Sequence, residues 1–211
     1  MSSGEQTVDR RRARGVDTRT QILDAARDAL AEDGYARTTT RAIAERAGVQ
    51  LSLVHYHFGG KQRLLAAVLT RENERLLERQ RAMFDGPGSL ADKWRAACAY
   101  LREDLHSGYV RILWELWAVG LSEPELATHW RQAIAGWRDL LTRVAEEWSA
   151  GLEVPLPASP QVLVTLVANA FQGAEAEILS GTDAPHFEAL ESVAGLIEWA
   201  ERRRPGNDRS R

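Results

Sequence analysis

RAIAERAGVQLSLVHYHFGGK, residues 41–61, decides how the rest of the chain is read. Apolar residues recur three and four apart on either side of Gly48: Ile43, Ala44 and Ala47 before it, Val54 and Phe58 after it. That spacing is helical. Gly48-Val49 divides it into two short helices, expected over about 41–47 and 51–57. Gly48 permits a tight turn, and Ala44 is small where the two helices must cross. Two short helices joined by a glycine-containing turn make a helix-turn-helix unit. With Ile43, Ala44, Ala47, Val49, Val54 and Phe58 turned inward, Gln50, Leu51, Ser52, Leu53, His55, Tyr56 and His57 remain outside. Side chains of this kind can reach base edges in a major groove.

Other chemistries fit the stretch less well. His55 and His57 would share a face on a strand, but on a helix they lie about 200° apart. No acidic or thiol partner stands near them in sequence, and no nucleophile, base and orienting group can be assembled. The expectation is no catalytic residue, no metal site, no cofactor and no enzyme activity.

Charge placement agrees with an anionic partner. Arg41 falls in the first turn of one expected helix and Lys61 in the first turn of the next. A helix N-terminus disfavours cations by roughly 0.3–1 kcal/mol at exposed sites, so two of them point to an external anion such as phosphate. Thr38, Thr39 and Thr40 can cap the helix start or donate hydroxyls to the same backbone. The plainer alternative is solvated charge beside an ordinary cap. Up to residue 63 the chain carries 11 Lys/Arg against 8 Asp/Glu, and afterwards 16 against 22, so the basic excess is N-terminal.

Outward from this stretch the chain reads as helical throughout. A first helix is expected from Thr18, with Gln21 completing a capping box, to Asp33, ended by Gly34. Its apolar face is Ile22, Ala25, Ala26, Ala29 and Leu30. A long helix should run from Lys61 to about Phe84, and further ones over about 90–106, 109–121, 124–149, 161–180 and 186–203. Residues 1–17 have almost nothing to bury and read as disordered. Their arginine run at 10–14 is either a DNA-contacting arm or a solubilising tail. No apolar run comes near the roughly 20 residues of a membrane span, and the N-terminus shows no secretory signal. A lone cysteine, Cys98, permits no internal disulfide and reads as a small packed residue. A cytoplasmic setting and no membrane partner are expected.

The segment TRTQILDAARDALAEDGYARTTTRAIAERAGVQLSLVHYHFGGKQRLLAAVL resembles the N-terminal domain of the TetR family of bacterial transcriptional regulators over residues 18–69. The resemblance implies an all-α homodimer with an N-terminal three-helix helix-turn-helix domain and a C-terminal helical domain for ligand binding and dimerisation. It also implies a repressor that a small molecule releases from DNA. Carried over by position, Arg41 reads a base, Thr40, Tyr56 and Lys61 touch phosphates, and Leu51, Ser52, Leu53 and His55 read bases. Two positions depart from the family. Leu53 replaces a usual threonine and His55 a usual tyrosine, which leaves the target sequence open. Leu53 could meet a thymine methyl.

All seven tryptophans lie beyond residue 93. Trp130, Ile134, Trp137, Leu141, Val144 and Trp148 form one helical stripe. Trp114 and Trp117 share a face with Leu113, and Trp94, Cys98, Leu101 and Leu105 make another. Such stripes are core by default. Still, indoles this numerous offer area and N–H donors for a ligand, and Trp114, Trp117, Trp130 and Trp137 are the candidates. Thr165, Asn169 and Gln172 form a polar seam within an otherwise apolar helix. Asn169 and Gln172 could line a pocket, or the seam could lie at a subunit interface. The last two helices, about 161–203, have apolar faces with no later segment to cover them, and in the family such a pair makes a dimer interface. A dimer presents two recognition helices about 34 Å apart to a pseudo-palindromic operator.

The expected organisation is a basic arm (1–17), a helix-turn-helix domain (18–63), an effector and dimerisation domain (64–204) and a tail (205–211). The expected function is a ligand-responsive regulator binding double-stranded DNA, with a small apolar or aromatic effector. An organic cation is a further possibility, with Glu115 beside Trp114. The rival readings are an all-α small-molecule-binding protein and a ligand-independent DNA-binding protein.

Overall fold

The computed structural model describes residues 3–152 and 156–202, with side chains from residue 15 onward; over these the protein is all-α, without strands. Nine helices follow in order: α1 Ser3–Arg37, α2 Thr40–Ala47, α3 Leu51–Phe58, α4 Lys61–Asp85, α5 Leu90–His106, α6 Tyr109–Gly120, α7 Pro124–Ser149, α8 Pro160–Leu179 and α9 His186–Glu201. From α2 onward each bound falls within two residues of its expected place.

α1 departs from expectation at its start. The helix is continuous from Ser3, so Thr18 lies inside it and does not cap it. Between Ser3 and Thr18 the chain holds no proline, and four arginines with Glu5, Gln6 and Ala13 favour the helix against Gly4 and Gly15. The side chains of the arginine run at 10–14, like the tail 205–211, lie outside the described residues. The regular turns end where expected, at Gly34, whose φ of 76° and ψ of 171° no helix accommodates. Ile22, Leu23, Ala25, Ala26, Ala29 and Leu30 are all buried.

The residues divide into two compact units, one comprising the chain up to Glu72 with Arg111–Trp130, the other Asn73–Val110 with the chain from Arg131 onward. This division does not follow the expected 63/64 boundary. α6 and the start of α7 group with the helix-turn-helix, because Arg111 and Glu115 bond to the end of α1 (below). In the first unit Ile43, Ala44, Val54, Phe58, Leu64, Leu65, Val68 and Leu69 close a core against α1. Gly48, at φ 66°, turns α2 into α3, and the Val49 N–H donates to Ala44 O at 3.0 Å.

In the second unit α5 packs on α9, and α9 on α8. Trp94 donates its indole N–H to Leu190 O at 2.7 Å, and its ring meets Phe171 edge-on at 5.6 Å. Cys98 is buried, and burial, with Glu191 adding to it, pushes its thiol up to about 11. The thiol stays protonated near neutral pH and serves as packing.

α8 corrects one expectation. Its 20 residues, with a mean hydropathy of 1.3 over an 18-residue window, are long and apolar enough to cross a bilayer. Thr165, Asn169 and Gln172 interrupt the apolar run in sequence, while the helix gathers them to one side. Val164, Ala168, Phe171 and Ala174 pack this helix into its own unit. On other sides it exposes Val162 and Leu166.

Candidate nucleic-acid interface

The interface is built from the α2 N-terminus upward. Thr39 caps α2, its hydroxyl oxygen accepting from the Ala42 N–H at 3.1 Å. Thr38 is buried and its hydroxyl donates to Gly34 O at 2.8 Å, which leaves Thr39 and Thr40 as the outer threonines of the run. Arg41 stands out from the first turn with its side chain 82% exposed, paired with Glu45 one turn on at 3.1 Å. An exposed i,i+4 pair of this kind is worth only about 0.3–0.5 kcal/mol, so phosphate can displace it. α2 has no acidic residue in its first turn.

α3 is anchored by Val54 and Phe58 and leaves its other faces open. Gln50, Leu51, Ser52, Leu53, His55 and Tyr56 are exposed, Tyr56 at 81%. His57 is half-buried, and its ring meets that of Tyr56 at 5.1 Å, edge to face. His55 and His57 thus take different surroundings. Gly59, at φ 76°, ends α3 and donates to His55 O at 2.8 Å.

Lys61 is partly committed within the protein. Its ammonium donates to Tyr35 O at 2.7 Å and lies 3.7 Å from the Tyr35 ring centroid. Burial holds its pKa below the usual lysine value. One of its three donors is committed internally, and two remain. The Tyr35 hydroxyl is shifted up, first by burial and then by the charge of Glu123.

Tyr35 is also held from α6. Its N–H donates to Glu115 Oε2 at 2.8 Å, and Arg111, which lies 3.6 Å from Glu115, donates to Ala31 O at 3.1 Å. Arg111 thereby satisfies one of the open carbonyls at the end of α1. This α1–α6 corner had no legible signal, since its partners stand 80 residues apart. The Glu115 carboxylate faces Gly34 and Tyr35.

Of the tryptophans expected to bind ligand, three come together. Trp114 and Trp117 meet at 5.3 Å and Trp117 and Trp130 at 6.4 Å, all in the first unit. The Trp130 indole N–H is buried with no acceptor among the described residues. Trp137 lies in the second unit, where it donates to Gln80 Oε1 at 2.9 Å and stacks edge-on against Phe171. Its donor is thus satisfied internally. Asn169 is exposed and accepts from Arg138 at 3.3 Å, while Gln172 is half-buried. A separate cleft of about 260 Å³ in the second unit is lined by Phe84, Leu90, Lys93, Trp148 and Glu201 among others, and by none of the expected ligand residues.

A pair of short helices turned by glycine, with the first of them capped, is a helix-turn-helix unit. Residues 22–68, within the segment that carries the TetR resemblance, match the family of bacterial regulatory proteins, tetR family. The chain is 27% identical over 110 residues to the HTH-type transcriptional regulator UidR of Escherichia coli, covering 52% of this chain and 55% of UidR. It thus spans about half the length of that relative. It is 25% identical over 192 residues to the HTH-type transcriptional repressor AcnR of Corynebacterium efficiens, covering 89% and 94%. Its fold is like that of the transcriptional regulator FadR from Bacillus subtilis, solved in complex with stearoyl-CoA, with a TM-score of 0.70 at 18% identity over 84% of this chain and 96% of that one. The curated relatives are regulators by name, in keeping with the expectation that the chain is not an enzyme.

Proposed function

We propose that the protein is a sequence-specific DNA-binding transcriptional regulator that acts as a homodimer, with residues 18–63 reading DNA and residues 64–204 serving effector binding and dimerisation. The observation that carries this is the α3 surface: Gln50 to Tyr56 stand exposed around a buried Val54, with no acidic residue in α3. Thr39, Thr40 and Lys61 flank it and suit phosphates, Lys61 through its two remaining donors, while Arg41 stands where it can read a base. A single unit of this size makes too few contacts for specific binding, whereas two joined units add theirs at high effective concentration. Selection of bound duplexes from a random DNA pool tests the reading. A pseudo-palindrome should be enriched, and Arg41→Ala should weaken binding to it by about 1–3 kcal/mol. A pool that yields no preferred sequence would remove the regulator reading.

The same reading makes the protein a repressor, cytoplasmic, that leaves its operator when a small apolar or aromatic effector binds. Support comes from the Trp114–Trp117–Trp130 cluster and the buried Trp130 N–H, which suits a ligand acceptor. A ligand releases DNA only by favouring one arrangement over another. Titration with small aromatic compounds should then quench tryptophan fluorescence and lower operator affinity together. Trp130→Phe, which keeps an aromatic ring but removes the donor and part of the indole's area, should weaken such a ligand by about tenfold or more, the scale of one hydrogen bond plus lost contact. Quenching with unchanged operator affinity would exclude the switch. The packing of Val164, Ala168, Phe171 and Ala174 favours α8 as a packed helix over a membrane span.

A further inference from the structure

We propose that the reading helix selects duplex DNA through pyrimidine C5-methyl groups, with Leu51 and Leu53 as the contacting side chains. The inference rests on the DNA-binding reading above and names what is read. α3 has only eight residues, and its own apolar anchors are Val54 and Phe58, 0% and 7% exposed. Leu51 and Leu53 take no part in that anchoring and stand 39% and 36% exposed in the first turn. Between and beside them Gln50, Ser52, His55 and Tyr56 offer hydrogen bonds.

The surround is basic. From Arg37 to Arg63 the cations are Arg37, Arg41, Arg46, Lys61 and Arg63; Glu45, Glu32 and Glu125 pair with Arg41, Arg46 and Arg63, which leaves a net positive surround. Leu51 and Leu53, about 200° apart around the helix, each set an apolar side chain inside a positive rim, which complements a polyanion that carries apolar groups within its groove. The only apolar group that base pairs present in the major groove is the C5-methyl of thymine, and 5-methylcytosine places the same group there. The N-terminal residues of a recognition helix are the ones that meet base edges, and Leu51 and Leu53 occupy that turn. A leucine has no donor or acceptor. Against a bare polar edge it would leave base atoms dried and unpaired, which is penalised. It therefore favours the methyl and disfavours its polar neighbours at once.

The test uses the full chain and the duplex recovered from the random pool. Each thymine of a half-site is replaced in turn by deoxyuridine, which removes the methyl and nothing else. One or two positions should lose about fourfold in affinity per methyl, and the loss should vanish in Leu53→Ala or Leu51→Ala, whichever residue faces that position. Both side chains lie on the surface, so unchanged helicity and melting confirm that these variants fold. Replacing the same T·A pair by C·G and then methylating the cytosine separates the sources. Restored affinity assigns the contact to the methyl on either base, and unrestored affinity assigns it to thymine. Equal affinity for thymine and deoxyuridine duplexes at every position overturns the proposal while leaving DNA binding intact. Failure to recover any duplex overturns the DNA-binding reading itself.

Discussion

Gly34→Ala should destabilise the first unit by roughly 2–5 kcal/mol, read as a lowered denaturation midpoint with helix content retained at low denaturant. Gly34 sits at φ 76° and ψ 171°, a region that is essentially glycine's alone. A Cβ there would stand 2.6 Å from Glu115 Oε1 and 3.2 Å from Arg111 Nη2. The carboxylate cannot withdraw freely, because its other oxygen accepts the Tyr35 N–H at 2.8 Å. Backbone strain and a lost charge-assisted hydrogen bond therefore add. The two can be separated by combining Gly34→Ala with Glu115→Ala. The double variant should cost less than the sum of the single ones, because the colliding group is gone, while the backbone strain stays. Strict additivity, or a cost under about 1 kcal/mol, would mean that the α1–α6 corner is not built as described. The same corner leads through Thr38 to the Thr39 cap and through Tyr35 O to Lys61. Glu115→Gln should therefore disturb DNA binding more than its distance in sequence from the reading helix implies.

Leu166→Glu combined with Leu196→Glu should convert the protein to a monomer and reduce operator affinity by a hundredfold or more, a scale set by the loss of the linked second unit. Leu166 on α8 and Leu196 on α9 are 61% and 69% exposed, and Val162 and Trp199 stand exposed on the same two helices. Leucines so placed contribute nothing to their own unit's core. Burying one stabilises by about 1.5–3 kcal/mol, and in a two-fold pair each substitution acts twice. The combined loss, roughly 6–12 kcal/mol by that scale, exceeds what a micromolar dimer can absorb. Because neither residue is buried in the protomer, helicity should persist. Sedimentation and operator binding together decide the matter: a variant that remains dimeric, or a monomer that binds DNA as tightly as before, places the interface elsewhere.

Local pattern carried most of the architecture. Helix bounds from α2 onward followed from apolar spacing and from Gly34, Gly48 and Gly59, because periodicity and the need for positive φ are properties of neighbouring residues. The exposure of Gln50, Leu51, Ser52, Leu53, His55 and Tyr56 was equally legible, since Val54 and Phe58 set which side of a two-turn helix must be inward. The TetR-type segment could be read for the same reason: its signature is continuous over residues 22–68.

What the chain's order could not disclose depends on partners far apart in it. That Lys61 spends a donor on Tyr35, that Glu115 serves the backbone of Tyr35, and that Trp137 bonds to Gln80 instead of joining Trp114, Trp117 and Trp130 were decided only by packing. A side chain's propensity sets which helix it joins. Its hydrogen-bond partner is chosen by which groups would otherwise be left dry when distant helices close together, and no local spacing records that.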